Sequence, residues 1–369
     1  MAEFWSWLPL LCAAVWSFGP VANNYGFALY FLTWQHGFVK RGLVGELFAG
    51  IPFLSRGDLL LIEYLFLVAA YVAAYIVFRR VIFGSREERL FAALLLSSPA
   101  MLPHIGYLFA QPDVTLFLLT LGCLAAWTRC SPFAALSVTT VLASVALLSH
   151  EAFSLMFYPL MVAIVWRACR RGALKWRWAL VHVFLVCVVF GAVIHFGKLK
   201  VSPNTVLAEA QARTNVAVQR QVYDVMASSL GEQLALVHRL YTGYVIHVLV
   251  LTVLFSFPFW WLLFSLARRA LRADGACRID RYIFAVCMFS PLLLCALGHD
   301  TTRWIGAACA DVCLYLLYLF MTEKKVRQSM SEWATGEQVY AWLAYLLLIG
   351  PYEATGIYSA VRIYGWMTL

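Results

Sequence analysis

The chain has 369 residues, 63% of them hydrophobic and only 13% charged, where an ordinary soluble domain carries roughly 25% charge. With a mean hydropathy of +0.78, it has too little polar surface to cover a folded body in water. The composition therefore excludes a soluble globular protein and predicts one all-α polytopic transmembrane bundle over residues 1–369, with about eleven spans of about 20 residues each. The net charge of +9 suits nucleic acid in a soluble protein, but here the basic residues lie in short loops between apolar runs, where they set topology; no nucleic acid is expected.

The apolar runs fall at 4–20, 59–78, 90–108, 113–128, 132–149, 152–166, 179–196, 240–266, 282–298, 304–321 and 338–352. The first lacks a basic n-region and a convincing small-residue cleavage site, so it reads as a retained span. Residues 21–57 follow and include YGFALYFLTWQHGFVKRGLVGELFAGIPF. That stretch is too polar for a span and too apolar for a free loop, which predicts an interfacial or re-entrant helix pair.

Basic residues then mark one side of the bundle. Arg79, Arg80, Arg86 and Arg89 follow the second run, and Arg129 ends the fourth. Arg167, Arg170, Arg171, Lys175 and Arg177 follow the sixth. Arg268, Arg269, Arg272, Arg278 and Arg281 follow the eighth, and Lys324, Lys325 and Arg327 the tenth. Every group follows an even-numbered run, so the positive-inside rule predicts a cytoplasmic N-terminus and, with an odd number of spans, an external C-terminus. Residues 197–239 form the one sizeable hydrophilic segment, and TVLAEAQARTNVAVQRQVYDVMASSLGEQL within it predicts amphipathic helices on the outer side. The aromatic tail 353–369 is expected at the outer interface. The ten cysteines show no CxxC or Cys/His metal spacing and read as small buried hydrophobes, so no metal is expected.

Ionisable residues beside the bilayer are costly and are functional candidates by default. Lys40, Arg41, Glu46, His104, Asp113, His150, Glu151, His299, Asp300 and Arg303 all fall at outer ends of runs. Three groups stand out. In Gly37-Phe38-Val39-Lys40-Arg41-Gly42, paired cations between glycines suit an anion such as a diphosphate; the alternative is a snorkelling interfacial pair. In His150-Glu151, a carboxylate between two apolar runs suits a general base; the alternative is a carboxylate at a helix N-terminus. In His299-Asp300-Thr301-Thr302-Arg303-Trp304, Arg303 suits a phosphate and Asp300 a sugar hydroxyl, or the two simply pair. Asp113 after Gln111-Pro112 suits a helix cap, and Glu46 lies close enough to Arg41 to neutralise it. Asp311, one or two turns inside the tenth run, needs a partner. His182, His195 and His247 sit singly on apolar faces. There is no Walker motif, GxSxG, HExxH or glycine-rich dinucleotide signature, and no cofactor is expected.

FVKRGLVGEL, the His-Glu pair before the sixth run, GHDTTRW and the diffuse AQPDVTLFLLTLGCLAAW together resemble bacterial polytopic proteins of surface-polysaccharide biosynthesis, the Wzy-type polymerases and GT-C-type glycosyltransferases. The outer loop after the seventh run resembles the polymerases too, with Arg220 and Gly231 spaced as in an Arg-x10-Gly pattern. GT-C enzymes usually carry an acidic residue early in the first outer loop; here the first acid is Glu46, which favours the polymerase-like class. The resemblance implies transfer or polymerisation of polyprenyl-diphosphate-linked glycan on the outer face of a bacterial inner membrane, amid membrane lipids and other polysaccharide-assembly proteins. Glu151, Asp300 and His150 would then be catalytic. Lys40, Arg41 and Arg303, with Glu46, Asp113 and Arg220, would bind the diphosphate and glycan. A transporter or flippase, an outward-facing lipid-modifying acyltransferase and a non-catalytic assembly subunit are the competing classes.

Overall fold

The structure is a computed structural model that describes residues 4–17, 24–229, 231–235, 243–298 and 300–352. Among these residues every regular element is helical. Helix α1 covers Phe4–Ser17. The short α2 (Asn24–Ala28), a 3-10 turn (Leu29–Phe31) and α3 (Gly42–Leu47) lead to the long α4, Arg56–Ile82. A capping box of Ser55 and Asp58 starts α4, and Arg79 and Arg80 sit at the negative end of its dipole. Helix α5 (Arg86–Leu96) opens on an equivalent box from Ser85 and Glu88 and is followed by α6 (Leu102–Tyr107), α7 (Pro112–Arg129) and α8 (Pro132–Ser149). The chain continues through α9 (Phe153–Met156), α10 (Tyr158–Arg170), α11 (Trp176–Phe196), α12 (Pro203–Ala212) and α13 (Arg220–Ala227). The last elements are α14 (Gly243–Ala273), α15 (Arg278–Phe289) running into a 3-10 turn (Ser290–Ala296), α16 (Thr301–Thr322), α17 (Lys324–Ala334) and α18 (Gln338–Ile349).

Five of the described helices are long and apolar enough to cross a membrane: Arg56–Ile82, Pro132–Ser149, Trp176–Phe196, Arg278–Ala296 and Thr301–Thr322. About eleven full spans were expected, and the fold does not support that count. Run 90–108 breaks at Ser97-Ser98-Pro99 into α5 and α6, and run 152–166 breaks at Phe157, before Pro159. Phe4–Val15 and Gln338–Ile349 are shorter apolar helices. Hydropathy registers how apolar a segment is, whereas proline and local serine hydrogen bonds decide where a helix stops.

Helix α16 is the axis of the bundle. Its apolar window is 94% buried, against 22% for α11 and 28% for α4, so α16 faces protein on every side while α4 and α11 form the outer shell. It packs against α14, α17 and the Ser290–Ala296 turn. At 1.5 Å per residue, its 22 residues reach roughly 33 Å, about the thickness of the hydrocarbon core. Its two ends therefore mark opposite faces of the bundle. Hydroxyls in the shell turn back on their own helices: Thr120 donates to Leu116 O, Thr139 to Ala135 O and Ser144 to Thr140 O, each at 2.8 Å, which satisfies them without water.

At the Glu323 end of α16, Arg167 donates to Asp274 at 3.2 and 2.8 Å and meets Glu323 at 2.5 Å. Arg171 reaches the same two carboxylates, and Arg170 faces Asp280 at 3.4 Å. At the other end, segments 24–57 and 197–229 are stitched together. Lys40 N donates to Gly197 O and Leu54 N to Arg213 O, both at 2.9 Å, and the Tyr223 hydroxyl donates to Ala28 O at 3.2 Å. The Arg213 guanidinium also caps Phe48 O and Ile51 O at 3.0 and 2.9 Å.

Candidate functional site

Five separate stretches of chain bring ionisable residues to the Asp300 end of α16. From the α8–α9 turn, Glu151 accepts a two-pronged hydrogen bond from Arg41, Nε to Oε2 at 2.8 Å and Nη2 to Oε1 at 2.5 Å. The remaining prong of Arg41 donates to the Tyr25 hydroxyl at 3.3 Å. Lys40 Nζ lies 3.7 Å from Glu151 Oε1. From the first turn of α16, Arg303 makes the same kind of fork with Asp113 of α7, at 2.8 and 2.5 Å, and its Nη1 lies 3.4 Å from Asp300 Oδ2. His104 of α6 packs its Nε2 against Gly306, where a Cβ would come within 2.9 Å, and its Nδ1 hydrogen-bonds to Tyr352 O. Only glycine permits that approach, one turn along α16 from Arg303.

The two forks share one electrostatic environment. Arg303 feels the Arg41 guanidinium, and His150 feels Arg41, Arg303, Lys40 and Glu151 together. Three cations (Lys40, Arg41, Arg303) face three carboxylates (Glu151, Asp113, Asp300), so the cluster is close to neutral as a whole. Such forks are strong because both donors of the guanidinium are aimed at both oxygens. Burial pushes the Glu151 carboxyl up, but the charge and two hydrogen bonds of Arg41, with Lys40, outweigh it and hold the group well below the usual carboxylate range. Burial pulls the Lys40 ammonium below its ordinary value, against the pull of Glu151. His150 is also held well below its ordinary value, by burial first and then by Arg41. Its Nδ1 accepts the Ala152 N–H at 3.1 Å, so the neutral ring carries its proton on Nε2 and presents a donor rather than a base.

Backbone conformation singles out the same place. Among the described residues, Arg41 and Ala110, both at φ 62°, are the only non-glycine residues with positive φ. Arg41 immediately precedes α3, and Ala110 lies three residues before Asp113. A left-handed non-glycine residue costs about 1–2 kcal/mol, and such strain collects where the surrounding contacts hold a functional group in place.

The cluster stays partly open. The side chains of Lys40, Glu151 and Asp300 keep 12%, 15% and 29% of their exposure, whereas Asp113 and Arg303 are sealed in. Beside Arg303, whose guanidinium lies 4.8 Å over the Trp304 ring, the Trp304 indole N–H is buried with no acceptor among the described residues.

Of the residues singled out in the sequence, Lys40, Arg41, His104, Asp113, His150, Glu151, Asp300 and Arg303 come together. Two do not. Glu46 is exposed and accepts the Trp34 N–H at 2.9 Å instead of neutralising Arg41; Arg220 is exposed on α13 and pairs with Asp224 at 3.4 Å. His299 and the tail 353–369 lie outside the described residues. The N-cap of α7 is Gln111, whose side chain makes no capping hydrogen bond, and the Asp113 carboxylate is taken up by the Arg303 fork. Tyr25 carried no individual signal in the sequence, and Trp304 closed the third group without a role of its own; an aromatic inside an interfacial stretch looks like any other belt residue. Asp311, in the middle of α16, is fully buried and, among the described residues, neither carboxylate oxygen has a hydrogen-bond partner.

A scan against protein-family models, a search of curated proteins and a search of solved structures each find no match to the chain.

Proposed function

We propose that this integral membrane protein transfers or polymerises glycan units carried on polyprenyl diphosphate, at the outer face of a bacterial inner membrane. The basic groups that follow even-numbered apolar runs favour a cytoplasmic Glu323 end of α16 and an outward-facing Asp300 end. The observation that carries the proposal is the partly open nest of cations and carboxylates around Lys40, Glu151 and Asp300, at the bundle end where a lipid diphosphate would lie in the outer leaflet.

In the reaction, an acceptor sugar hydroxyl attacks the anomeric carbon of the donor. The bond from that carbon to the diphosphate oxygen breaks, and the lipid diphosphate leaves with the electron pair. Lys40, which meets Glu151 at 3.7 Å without a fork, is the least committed of the three cations and meets the developing charge. Arg41 and Arg303, locked in their forks, set the field and the position of the carboxylates. Asp300, the most exposed acid of the nest, accepts the acceptor hydroxyl proton, and Glu151 stays ionised as a hydrogen-bond acceptor. His150 Nε2–H and the unsatisfied Trp304 N–H supply donors to sugar or phosphate oxygens.

The test uses Lys40→Gln and Asp300→Asn, which leave both forks intact. Surface-glycan chain length is read by gel laddering, with protein level checked by immunoblot. Short or absent ladders are expected at normal protein level, and unchanged ladders in both variants would overturn the proposal. One observation favours transport as a second reading. Asp311 is an unpartnered carboxyl at mid-depth of the central helix, where ionisable groups mark proton or ion paths. Asp311→Asn would then abolish substrate movement across the membrane while leaving any glycan transfer measured in detergent unchanged.

A further inference from the structure

Helix α14 carries a second feature, far from the nest. Leu254, Phe257, Trp261 and Phe264 are all largely exposed, and their spacing of three, four and three residues puts them on one stripe of the helix. Four residues further along that stripe comes Arg268, and four further Arg272. Both are exposed, and among the described residues neither has an ion-pair partner. Here an open cavity of about 590 Å³ is lined by Ser265, Arg268, Arg269 and Arg272 of α14 and by Ser329 of α17. Only Arg269 is engaged, donating to Ser329 O and Oγ at 3.0 and 2.9 Å and lying 3.7 Å from Glu332. The next residue after α14 is Asp274, which binds Arg167 beside Glu323, so the cavity sits at the Glu323 end of the bundle, opposite the nest.

We propose that this cavity is a specific site for an anionic phospholipid. The phosphate lies among the Arg268, Arg269 and Arg272 guanidinium groups, with the Ser265 and Ser329 hydroxyls as further donors, and one acyl chain runs up the Leu254–Phe264 stripe. An apolar stripe alone would serve bulk lipid, and arginines alone would serve topology. Their register on one helix face, ending in a cavity where Arg268 and Arg272 have no carboxylate partner among the described residues, matches the two halves of one lipid molecule. Guanidinium suits this role because its planar fork binds phosphate oxygens in pairs. Arg268, Arg269 and Arg272 lie at the C-terminal end of α14, where cations are already favoured by the helix dipole, so an anion there must be held by side chains and not by backbone amides.

The test follows lipid retention by native mass spectrometry on the detergent-purified full chain, titrated with phosphatidylglycerol and, separately, with zwitterionic phosphatidylcholine. The expected result is retention of phosphatidylglycerol over phosphatidylcholine, weakened roughly 30-fold in Arg268→Gln/Arg272→Gln, since each basic residue at an anionic headgroup contributes about a factor of five. Arg79→Gln/Arg80→Gln removes the same charge from the exposed end of α4 and is expected to bind as the parent does. Trp261→Ala/Phe264→Ala is expected to weaken retention without changing the preference for the anionic headgroup. Displacement of the lipid by millimolar inorganic phosphate would overturn the lipid assignment and leave a simple anion site. Equal retention of both lipids, or an equal loss in the α4 control, would overturn the site altogether.

Discussion

The chemistry of individual residues at the nest is set by who pairs with whom. Asp113 and Arg303 are both sealed from solvent and joined by two hydrogen bonds. Removing one member of such a pair strands the other charge and costs about 3–5 kcal/mol. Asp113→Ala is accordingly expected to lower the apparent Tm in detergent strongly, and Arg303→Lys to rescue little, since a lysine is a point charge and cannot form the fork. An apolar pair, Asp113→Leu with Arg303→Met, is expected to recover much of the loss in Tm. An unaltered Tm in Asp113→Ala would refute the pairing.

His150 makes a different statement. It is held neutral in the folded chain and titrates near 6.5 when unfolded. Below that pH the unfolded chain binds the extra proton, so the stability His150 contributes is complete above about pH 6.5 and declines by about 1.4 kcal/mol per unit as the pH falls. His150→Asn is expected to flatten that slope in an unfolding series from pH 7 to 5. Glu151, also held below its ordinary range, keeps its full contribution above about pH 4.3 and loses it as the pH falls below that, so the Arg41 fork adds little slope in the same window. An unchanged slope in His150→Asn would contradict a buried neutral ring.

At the scale of elements, α16 is clamped at both ends by charge. The Glu323 end is held to the α10 and α14 termini by a network in which Asp274 serves both Arg167 and Arg171. Asp280, more exposed, serves Arg170 at 3.4 Å and the Trp166 indole at 3.0 Å. Asp274→Ala is therefore expected to destabilise by about 3 kcal/mol and Asp280→Ala by about 1 kcal/mol, compared by thermal unfolding of both variants. Equal effects would mean that the network is solvated throughout. The breaks in the fold have local causes as well. The pause between α5 and α6 at Ser97-Ser98-Pro99 leads the chain to His104 and on to the strained turn at Ala110, where an unbroken helix would have carried these residues past the end of α16.

For the whole molecule, the sequence alone settled the solvent. A chain with 63% hydrophobic residues has to satisfy its backbone within helices when no water is at hand, and every regular element among the described residues is helical. Sequence also placed most ionisable residues of the nest together, because charge avoids the hydrocarbon core and collects at run ends whatever the fold. It could not say which charges pair. Asp300 three residues before Arg303, and Glu46 five residues after Arg41, were the near neighbours along the chain, yet Asp113 and Glu151 take the forks across 190 and 110 residues. That choice depends on helix packing, since a fork needs two planar groups brought face to face by elements that sequence distance does not relate. The tertiary structure likewise decided which apolar runs are whole helices and that α16 is the buried axis. Apolarity is a property of residues, whereas continuity and burial depend on neighbours that only the folded bundle supplies.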